Sequence, residues 1–194
     1  MIPEPPPEAD FAIRRYCFED IEPIYQAVRE SMADLAPWMP WCHRGYSRED
    51  SAAWVLTRED DWKADRTYDF VIYERAGGRL VGGVGLNHLS RAYRLANLGY
   101  WVRSSCTRQG AASAAALLVA RFGFDYLDLE RLEIIAAATN TASQRVAQKV
   151  GARREGLLRR RLPLGDHIHD AVLYSLIRTD LTDQSSFDEQ PLQS

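Results

Sequence analysis

A buried helix between two strands is the feature that most constrains the fold of this chain. Residues 96–103 alternate in the manner of a pleated strand and include the aromatic and β-branched residues that favour it. The helix predicted over residues 111–126 carries apolar side chains around most of its circumference, so it should be largely buried against a sheet. A second strand is predicted over residues 131–139. Two strands joined by one helix are expected to be parallel neighbours, and the pattern therefore predicts a mixed α/β protein.

The connection between the first of these strands and the helix has the character of an anion site. Gly110 precedes a run of small residues at the helix start, where free backbone N–H groups and the positive end of the helix dipole can bind an anion. Arg103 and Arg108 flank the connection and would add positive charge. A glycine before an alanine-rich helix is also a common turn without any ligand, so local chemistry leaves both interpretations open.

Turn and cap residues divide the rest of the chain into further elements. Gly77-Gly78 between two apolar runs predicts a hairpin, Asn140 can cap a helix, and Gly151 can end that helix. Three glycines between residues 82 and 85 suggest a bulge or the close approach of another chain or a ligand. The predicted strands are 11–16, 68–74, 79–87, 152–158 and 168–178, and the predicted helices run from near Asp20 to before Pro37, from Ser47 to Lys63 and over 141–150.

Length and composition limit the class of protein. The 194 residues fit one domain, predicted over residues 11–180 between disordered tails at 1–10 and 181–194. Hydrophobic residues make up 46% of the chain and charged residues 26%, which is ordinary for a globular protein. No apolar run approaches the roughly 20 residues of a membrane helix, so no membrane association is expected. A net charge of −3 argues against a general binder of nucleic acid.

Cysteine usage and the N-terminal residues predict a cytoplasmic protein. The three cysteines are an odd number without paired spacing, which suggests a reducing cytosol and neither a disulfide framework nor a zinc site. The first ten residues are acidic and rich in proline, and they lack the basic and apolar regions of a secretory signal.

Several segments resemble the GNAT N-acetyltransferase superfamily. The resemblance to its motif A is carried by LGYWV, RQGAAS and a helix that ends in FDYLDLERLEI. The resemblance to the RimJ/RimL branch, the ribosomal-protein N-terminal acetyltransferases and their relatives, is carried by LAPWMPW, NTASQRVAQKVGARREG and HDAVLYSLI. It covers residues 11–180, and the combination of segments in this order is what makes it specific.

The resemblance implies both a fold and an activity. The fold is a single-domain GNAT arrangement, in which helices flank a splayed and mostly antiparallel sheet. The activity is transfer of an acetyl group from acetyl-CoA to a primary amine, by direct attack in a ternary complex and without a metal. The acceptor stays open between a protein N-terminal α-amine and the amine of a small molecule. A homodimer is implied only by analogy with family members that pair.

The resemblance also assigns two stretches to acetyl-CoA. The pantetheine arm is expected beside Tyr100, Trp101 and Val102, with Asn140 in contact with it. The family's pyrophosphate pattern is Gln/Arg-x-x-Gly-x-Gly/Ala, and Thr107 departs from its first position. The residues expected at the pyrophosphate are Arg108, Gln109, Gly110, Ala111, Ala112 and Ser113.

Fewer residues are candidates for catalysis than for acetyl-CoA binding. Ser143 matches the serine of the family's Asn-x-x-Ser pattern, which can protonate the departing thiolate, although such a serine is common in any capped helix. Leu162 stands where some RimL-type enzymes place a glutamate base, so that role is not carried over. His88 is near the expected acceptor side and could act as the base, although a plain surface histidine is the simpler interpretation.

An aromatic loop is the candidate acceptor site. Trp38, Met39 and Trp41 could wall a pocket for the acceptor, since clefts favour aromatic linings, or the loop could simply be a packed connection. His167 and His169 would share one side of a strand, but a zinc site needs more ligands, and no metal is predicted.

The alternative to an enzyme is a non-catalytic module. Such a module could bind acyl-CoA as a sensor, or it could use the basic cluster over Arg153–Arg161 to hold RNA or a protein partner. The acidic total charge favours the simpler interpretation of this cluster as a solvated strand and turn.

Overall fold

The computed structural model describes residues 9–185, so the parts of the predicted tails at 1–8 and 186–194 lie outside the described residues. The strands and helices are β1 (Phe11–Arg15), α1 (Ile21–Glu30), α2 (Met32–Leu35), α3 (Arg48–Lys63), β2 (Tyr68–Glu74), β3 (Leu80–Ser90), β4 (Leu95–Val102), α4 (Ala111–Tyr126), β5 (Arg131–Ala137), α5 (Thr141–Lys149), β6 (Arg153–Leu164), β7 (His167–Leu176) and α6 (Arg178–Ser185).

Seven strands form one sheet in the order β1-β2-β3-β4-β5-β7-β6. Every neighbouring pair is antiparallel except β4 and β5, which are parallel and are joined in sequence by α4. The prediction of a mixed α/β fold with a mostly antiparallel sheet is therefore confirmed.

The parallel strands β4 and β5 pair over three residues and then separate. Residues 95–97 pair with residues 131–133, whereas 98–102 and 134–137 have no strand partner across the gap. On the side away from the gap, β4 pairs with β3 and β5 pairs with β7. The unpaired backbone N–H and C=O groups of β4 and β5 therefore face the cleft between these two strands. Free N–H and C=O groups in such a cleft can pair with an extended ligand. The splayed sheet that the resemblance implies is present.

Different helices cover the two faces of the sheet. Helix α4 is buried along most of its length, and Val119 and Phe122 pack with Phe70 in the larger core. Val71, the next residue of β2, lies on the opposite face with Val28 of α1 in a second core. Helices α1 and α3 cover this second face, which also holds a large cavity.

Several boundaries differ from the prediction. The predicted helix toward Pro37 is interrupted at Ser31, whose hydroxyl is buried and accepts a hydrogen bond from the Ser104 N–H at 2.8 Å. β6 runs six residues beyond its predicted end at 158, because a bulge with Arg160 at φ 48° lets the pairing resume. The Arg160 N–H there donates to Asp170 Oδ1 at 2.7 Å instead of to the ladder. Helix α6 covers residues 178–185, where the last strand and then a tail are predicted.

The predicted caps are confirmed. Asn140 Oδ1 accepts a hydrogen bond from the Ser143 N–H at 3.0 Å, and Gly151 follows α5 with a left-handed φ of 81°. Gly78 has φ 67° in the hairpin between β2 and β3. Within residues 9–185 no helix is both long and apolar enough to cross a membrane.

Candidate active site

A cavity of about 960 Å³ opens on the face of the sheet that α1 and α3 cover. The middle of β3 and β4 forms its floor, and the free edge of β5 with the start of α5 forms one wall. The loop between α2 and α3 and residues 161–164 of β6 form further parts of the wall. The cleft between β4 and β5 and the aromatic loop therefore border one continuous space.

Tyr100 and Ser143 meet where the cleft opens into this cavity. The Tyr100 hydroxyl donates to the Ser143 carbonyl oxygen at 2.9 Å, and it lies 3.2 Å from the Ser143 hydroxyl oxygen. Asn140, which caps α5 through the Ser143 N–H, lines the same space. Burial raises the pKa of Tyr100 to about 12, so this phenol stays protonated at neutral pH.

The aromatic loop forms another part of the cavity wall. Trp38, Met39 and Trp41 all line the cavity, and the Trp41 ring lies 5.8 Å from the Trp101 ring of β4 in an edge-to-face arrangement. Trp41 also lies 6.0 Å from the ring of Tyr46, which is buried. Contacts of this kind fix the position of the loop relative to β4.

Two glycines of β3, which have no side chain, leave room on the floor of the cavity for side chains from neighbouring segments. A Cβ on Gly83 would meet the Tyr16 hydroxyl and the Trp101 indole nitrogen, and a Cβ on Gly85 would meet Asp69 Oδ1. The glycine pattern in the sequence suggested a bulge or the close approach of another chain or a ligand, whereas the groups that come close to Gly83 and Gly85 belong to this same chain. It could not reveal that the approaching groups come from β2, from β4 and from the segment after β1.

Asp69 is a cavity residue that sequence reasoning missed. Its carboxyl group is buried, and Oδ2 accepts hydrogen bonds from Arg58 Nη1 at 2.6 Å and from Thr67 Oγ1 at 2.7 Å. Burial raises the pKa of Asp69, and the hydrogen bonds from Thr67 and Arg58 only partly oppose this. No motif marks this aspartate in the sequence, because its position over Gly85 depends on the pairing of β2 with β3.

The predicted pyrophosphate loop lies outside this cavity, at the start of α4. Gly110 has a left-handed φ of 89°, and its carbonyl oxygen accepts hydrogen bonds from the Ala114 N–H at 2.9 Å and the Ser113 hydroxyl at 2.9 Å. The side chains of Ala111 and Ser113 are buried, so these residues present mainly backbone at the helix start. Ala112, Arg108 and Gln109 complete this loop, and the last two are exposed.

Lys149 is a second residue that the motif did not identify. Its ammonium nitrogen lies 3.7 Å from where a Cβ on Gly110 would be. The last turn of α5 thus brings a cation to the start of α4, where an anion would bind. Val102, predicted beside the pantetheine arm, lies at the far end of β4 and does not line the cavity.

The two candidate positions for a base differ in their surroundings. His88 lines the cavity but is exposed, with φ 50° at the irregular end of the hairpin between β3 and β4. Leu162, at the position where the resemblance would lead one to expect the glutamate of some RimL-type enzymes, also lines the cavity but carries no ionisable group.

Two other sequence features lie apart from this chemistry. The rings of His167 and His169 are 6.4 Å apart, and across residues 9–185 no group of three or more histidine, cysteine or acidic side chains is arranged to hold a metal. Cys42 is buried beside the Met32 sulfur at 3.6 Å, and burial raises the pKa of its thiol, which disfavours a nucleophilic thiolate.

Comparison with known proteins identifies relatives over most of the chain. The family model for the acetyltransferase (GNAT) domain matches residues 10–153. The ribosomal-protein-serine acetyltransferase of Escherichia coli (strain K12) is 26% identical over 157 residues, which are 81% of this chain and 87% of that protein.

Solved structures agree with this match. RimJ of Mycobacterium smegmatis, in complex with CoA-disulfide, is 27% identical and superposes with a TM-score of 0.79 over 88% of this chain and 83% of that one. RimL, the ribosomal L7/L12 α-N-protein acetyltransferase in complex with coenzyme A, is 21% identical with a TM-score of 0.81 over 89% and 96% of the two chains. At that identity, the second comparison supports the fold alone.

Proposed function

The chain belongs to the GNAT acetyltransferase family, in its RimJ/RimL-like branch, and from this premise we propose that it acetylates a primary amine by direct attack in a ternary complex with acetyl-CoA. The membership makes it an enzyme and acetyl-CoA its co-substrate. The mechanism and the acceptor are the parts proposed here.

The free strand edges and the start of α4 suit the two ends of acetyl-CoA. The backbone groups of residues 98–102 and 134–137 are available to the amides of a pantetheine arm, in the manner of an added strand. The left-handed Gly110, the small residues after it and Lys149 suit a pyrophosphate. Acetyl-CoA bound there supplies the thioester, and the chain's own residues orient the amine and manage its protons.

The position of Ser143 is the observation that carries the proposal. The N–H of this residue is fixed by Asn140 and its carbonyl oxygen by Tyr100, so the hydroxyl is held at the junction of cleft and cavity. The Tyr100 hydroxyl donates to the carbonyl oxygen and lies 3.2 Å from the Ser143 hydroxyl, and in that second contact either oxygen can be the donor. A hydroxyl held in this way can protonate the departing sulfur.

We infer that the acceptor is a protein N-terminal α-amine rather than a small amine. The names of the relatives point in this direction, since they describe ribosomal-protein acetyltransferases. Arg161 gives independent support: it lines the cavity, is exposed, and has no acidic partner within residues 9–185. A cation at the cavity end favours an acceptor with acidic residues near its N-terminus.

A cytosolic location is part of the same proposal. Cys17, Cys42 and Cys106 are all free thiols, which suits a reducing compartment.

The test begins with acetyl-CoA binding by calorimetry and continues with CoA thiol release against N-terminal peptides, amino acids, polyamines and amine antibiotics. We expect binding, and turnover with peptides that carry acidic residues near the N-terminus. Ser143→Ala should lower kcat by about 100-fold, within the range of one proton-transfer group, and leave acetyl-CoA affinity nearly unchanged. Thr141→Ala, on the same exposed helix turn, is the matched control. Absence of acetyl-CoA binding would contradict the proposal, and binding without any turnover would contradict the transfer step.

A further inference from the structure

We propose that Asp69 is the carboxylate that receives the amine of the acceptor, holding it in the cavity as an ammonium ion and taking the proton that it loses before attack. This inference rests on the proposed function and deepens it, because it supplies a buried base, whereas His88 is exposed and Leu162 has no ionisable group. Four observations on the cavity floor support it.

The pairing of three strands directs Asp69 toward the cofactor cleft. Asp69 of β2 pairs with Gly85 of β3, which in turn pairs with Gly99 of β4. Residues paired across antiparallel strands carry their side chains on the same face, so Asp69 lies in one row with two glycines. Asp69 Oδ1 occupies the space that a Cβ on Gly85 would need. The carboxylate therefore extends across β3 toward β4, the strand that borders the cleft.

One oxygen of Asp69 is held and the other is available. Oδ2 takes both hydrogen bonds, from Arg58 and from Thr67, and no donor in residues 9–185 reaches Oδ1. Within the same part of the chain, no fully buried polar side-chain atom lacks a partner. Oδ1 must therefore keep some accessible surface, and Asp69 borders the cavity. A free carboxylate oxygen in a largely buried site is suited to binding an ammonium group.

The space beyond Oδ1 is open. The atoms nearest to a Cβ on Gly99 would be the amide nitrogens of Asn87 and Asn97, at 3.8 and 3.9 Å. These two side chains are tied together by a hydrogen bond of 2.9 Å from Asn97 Nδ2 to Asn87 Oδ1. An amine can thus lie over Gly99, between Asp69 and the cleft, with the polar pair beside it.

The ion pair with Arg58 does not fully neutralise the charge of Asp69. Arg58 also pairs with Asp61 of the same helix, so one guanidinium is shared between two carboxylates. Burial keeps the pKa of Asp69 raised in spite of this pairing, which makes it a better proton acceptor than an exposed aspartate. A purely structural Asp69 would explain its tie to α3, but not its free oxygen over a glycine in the cavity.

The protons balance in this scheme. The ammonium nitrogen gives its first proton to Asp69, which passes it to water, and the neutral amine forms the new C–N bond as the C–S bond breaks. Ser143 gives a proton to the departing sulfur. It regains one, through water, when the nitrogen loses its second proton, so both residues return to their starting state.

The test compares a free amine with its acetylated form in protein saturated with CoA. The probes are cadaverine and a serine-initiated hexapeptide without lysine, each compared by calorimetry with a form that has no free amine: N,N′-diacetylcadaverine and the N-acetylated hexapeptide. We expect the wild type to bind at least one free amine at least 10-fold more tightly than its acetylated form. Asp69→Asn should bring the two affinities to within about twofold, because it removes the charge and keeps the shape. Asp61→Asn, which removes the other partner of Arg58, should keep the preference.

A second variant protects the test against misfolding of Asp69→Asn. Gly99→Val leaves Asp69 and its partners intact and places a side chain in the space over Gly99, where the added Cβ makes only ordinary van der Waals contacts. It should abolish the preference for the free amine while the fold, followed by circular dichroism, is unchanged.

The outcomes separate the two proposals. Acetyl-CoA affinity is measured first for each protein, and its absence in the wild type would overturn the proposed function. Normal acetyl-CoA binding, without any preference for a free amine in the wild type or with full preference retained in Asp69→Asn, would overturn only the role of Asp69. Where a probe is turned over, Asp69→Asn should also lower kcat/KM at least 100-fold, and a change no larger than that of Asp61→Asn would overturn the role.

Discussion

The phenol oxygen of Tyr100 lies 2.9 Å from the carbonyl oxygen of Ser143 and 3.2 Å from its hydroxyl oxygen. This contact joins β4 to α5 at the point where β4 has already separated from β5. It is a connection across the splayed cleft that does not depend on strand pairing. The cleft therefore stays open while Ser143 is held at a fixed distance from the strand that lines it.

Tyr100→Phe should lower turnover through Ser143. Loss of the hydrogen bond removes about 1 kcal/mol of positioning, so kcat should fall about 5- to 10-fold while acetyl-CoA affinity changes little. The measurement is a double-mutant cycle with Ser143→Ala, in steady-state kinetics with one peptide acceptor. If Tyr100 acts by positioning Ser143, Tyr100→Phe should have little further effect on kcat in the Ser143→Ala background, because the hydroxyl that it positions is already absent. Additive effects would show that Tyr100 has a separate role.

Gly110 should be sensitive to substitution in two distinguishable ways. Gly110→Ala places a Cβ at φ 89° and should lower the free energy of unfolding by about 1–2 kcal/mol. Gly110→Glu adds a negative charge at the start of α4, so it should also weaken acetyl-CoA binding at least 10-fold, with a smaller effect at high salt. The measurements are thermal unfolding and calorimetric titration with acetyl-CoA.

Gly78 offers the matched control for this prediction. It has a φ of 67°, no atom lies within 4 Å of where its Cβ would be, and it belongs to a hairpin turn outside the cavity and the α4 loop. Gly78→Ala should cost similar stability and leave acetyl-CoA affinity unchanged. Equal loss of affinity in Gly78→Ala and Gly110→Glu would mean that the loop has no special role in binding.

Lys149→Gln should weaken acetyl-CoA binding without affecting kcat. The ammonium group lies beside Gly110, and a cation there is worth about 1 kcal/mol to a bound phosphate, or roughly a fivefold change in affinity. The effect should shrink as ionic strength rises. Arg145→Gln, an exposed cation on the same helix, should show no such change. An equal effect of the two variants would indicate a general charge effect in place of a local contact.

Local patterns in the sequence predicted most of the helices and strands, whereas the splayed and mostly antiparallel sheet was implied by the resemblance. The apolar circumference of the helix at 111–126 predicted its burial, its place between two strands predicted that these strands are parallel, and both predictions are confirmed. The end of β6 could not be predicted, because three consecutive arginines and Pro163 interrupt the apolar pattern. What continues the strand is a hydrogen bond to Asp170, ten residues away on β7.

The candidate site shows the same limit. Ser143 and the Gly110 loop belong to contiguous motifs, so a resemblance could point to them. No motif identified Asp69 or Lys149. Asp69 becomes a candidate because it lies over Gly85 of β3, and Lys149 because it lies beside Gly110 at the start of α4. Residues brought together by register or by helix packing are not visible in the order of the sequence. Whether the residues predicted from motifs act as proposed stays a prediction.

Two carboxylates should govern the loss of stability in acid. Arg131 forms two hydrogen bonds with Glu155, at 2.7 and 2.6 Å, and lowers the pKa of that carboxyl to about 2. Hydrogen bonds from Arg103 and Ser105 likewise lower the pKa of Glu30 to about 2. A carboxyl whose pKa is lower in the folded state stabilises the fold above its unfolded pKa of about 4.3. The free energy of unfolding should therefore fall as the pH decreases from about 4.3 to 2.

Glu155→Gln should isolate one of these contributions. The Glu155 side chain is 39% exposed, so solvent screening limits its share to about 1 kcal/mol at neutral pH, well below what the pKa alone suggests. The variant should be less stable than the wild type at pH 7 and should lose less stability between pH 4.3 and 2, because the charged form no longer contributes. Glu22→Gln breaks an ion pair with Arg48 in which both side chains are about half exposed. It should measurably change neither the stability at pH 7 nor the stability lost between pH 4.3 and 2. Urea unfolding at a series of pH values gives the measurement. An unchanged pH dependence in Glu155→Gln would mean that the pair with Arg131, which ties β5 to β6, does not contribute to stability.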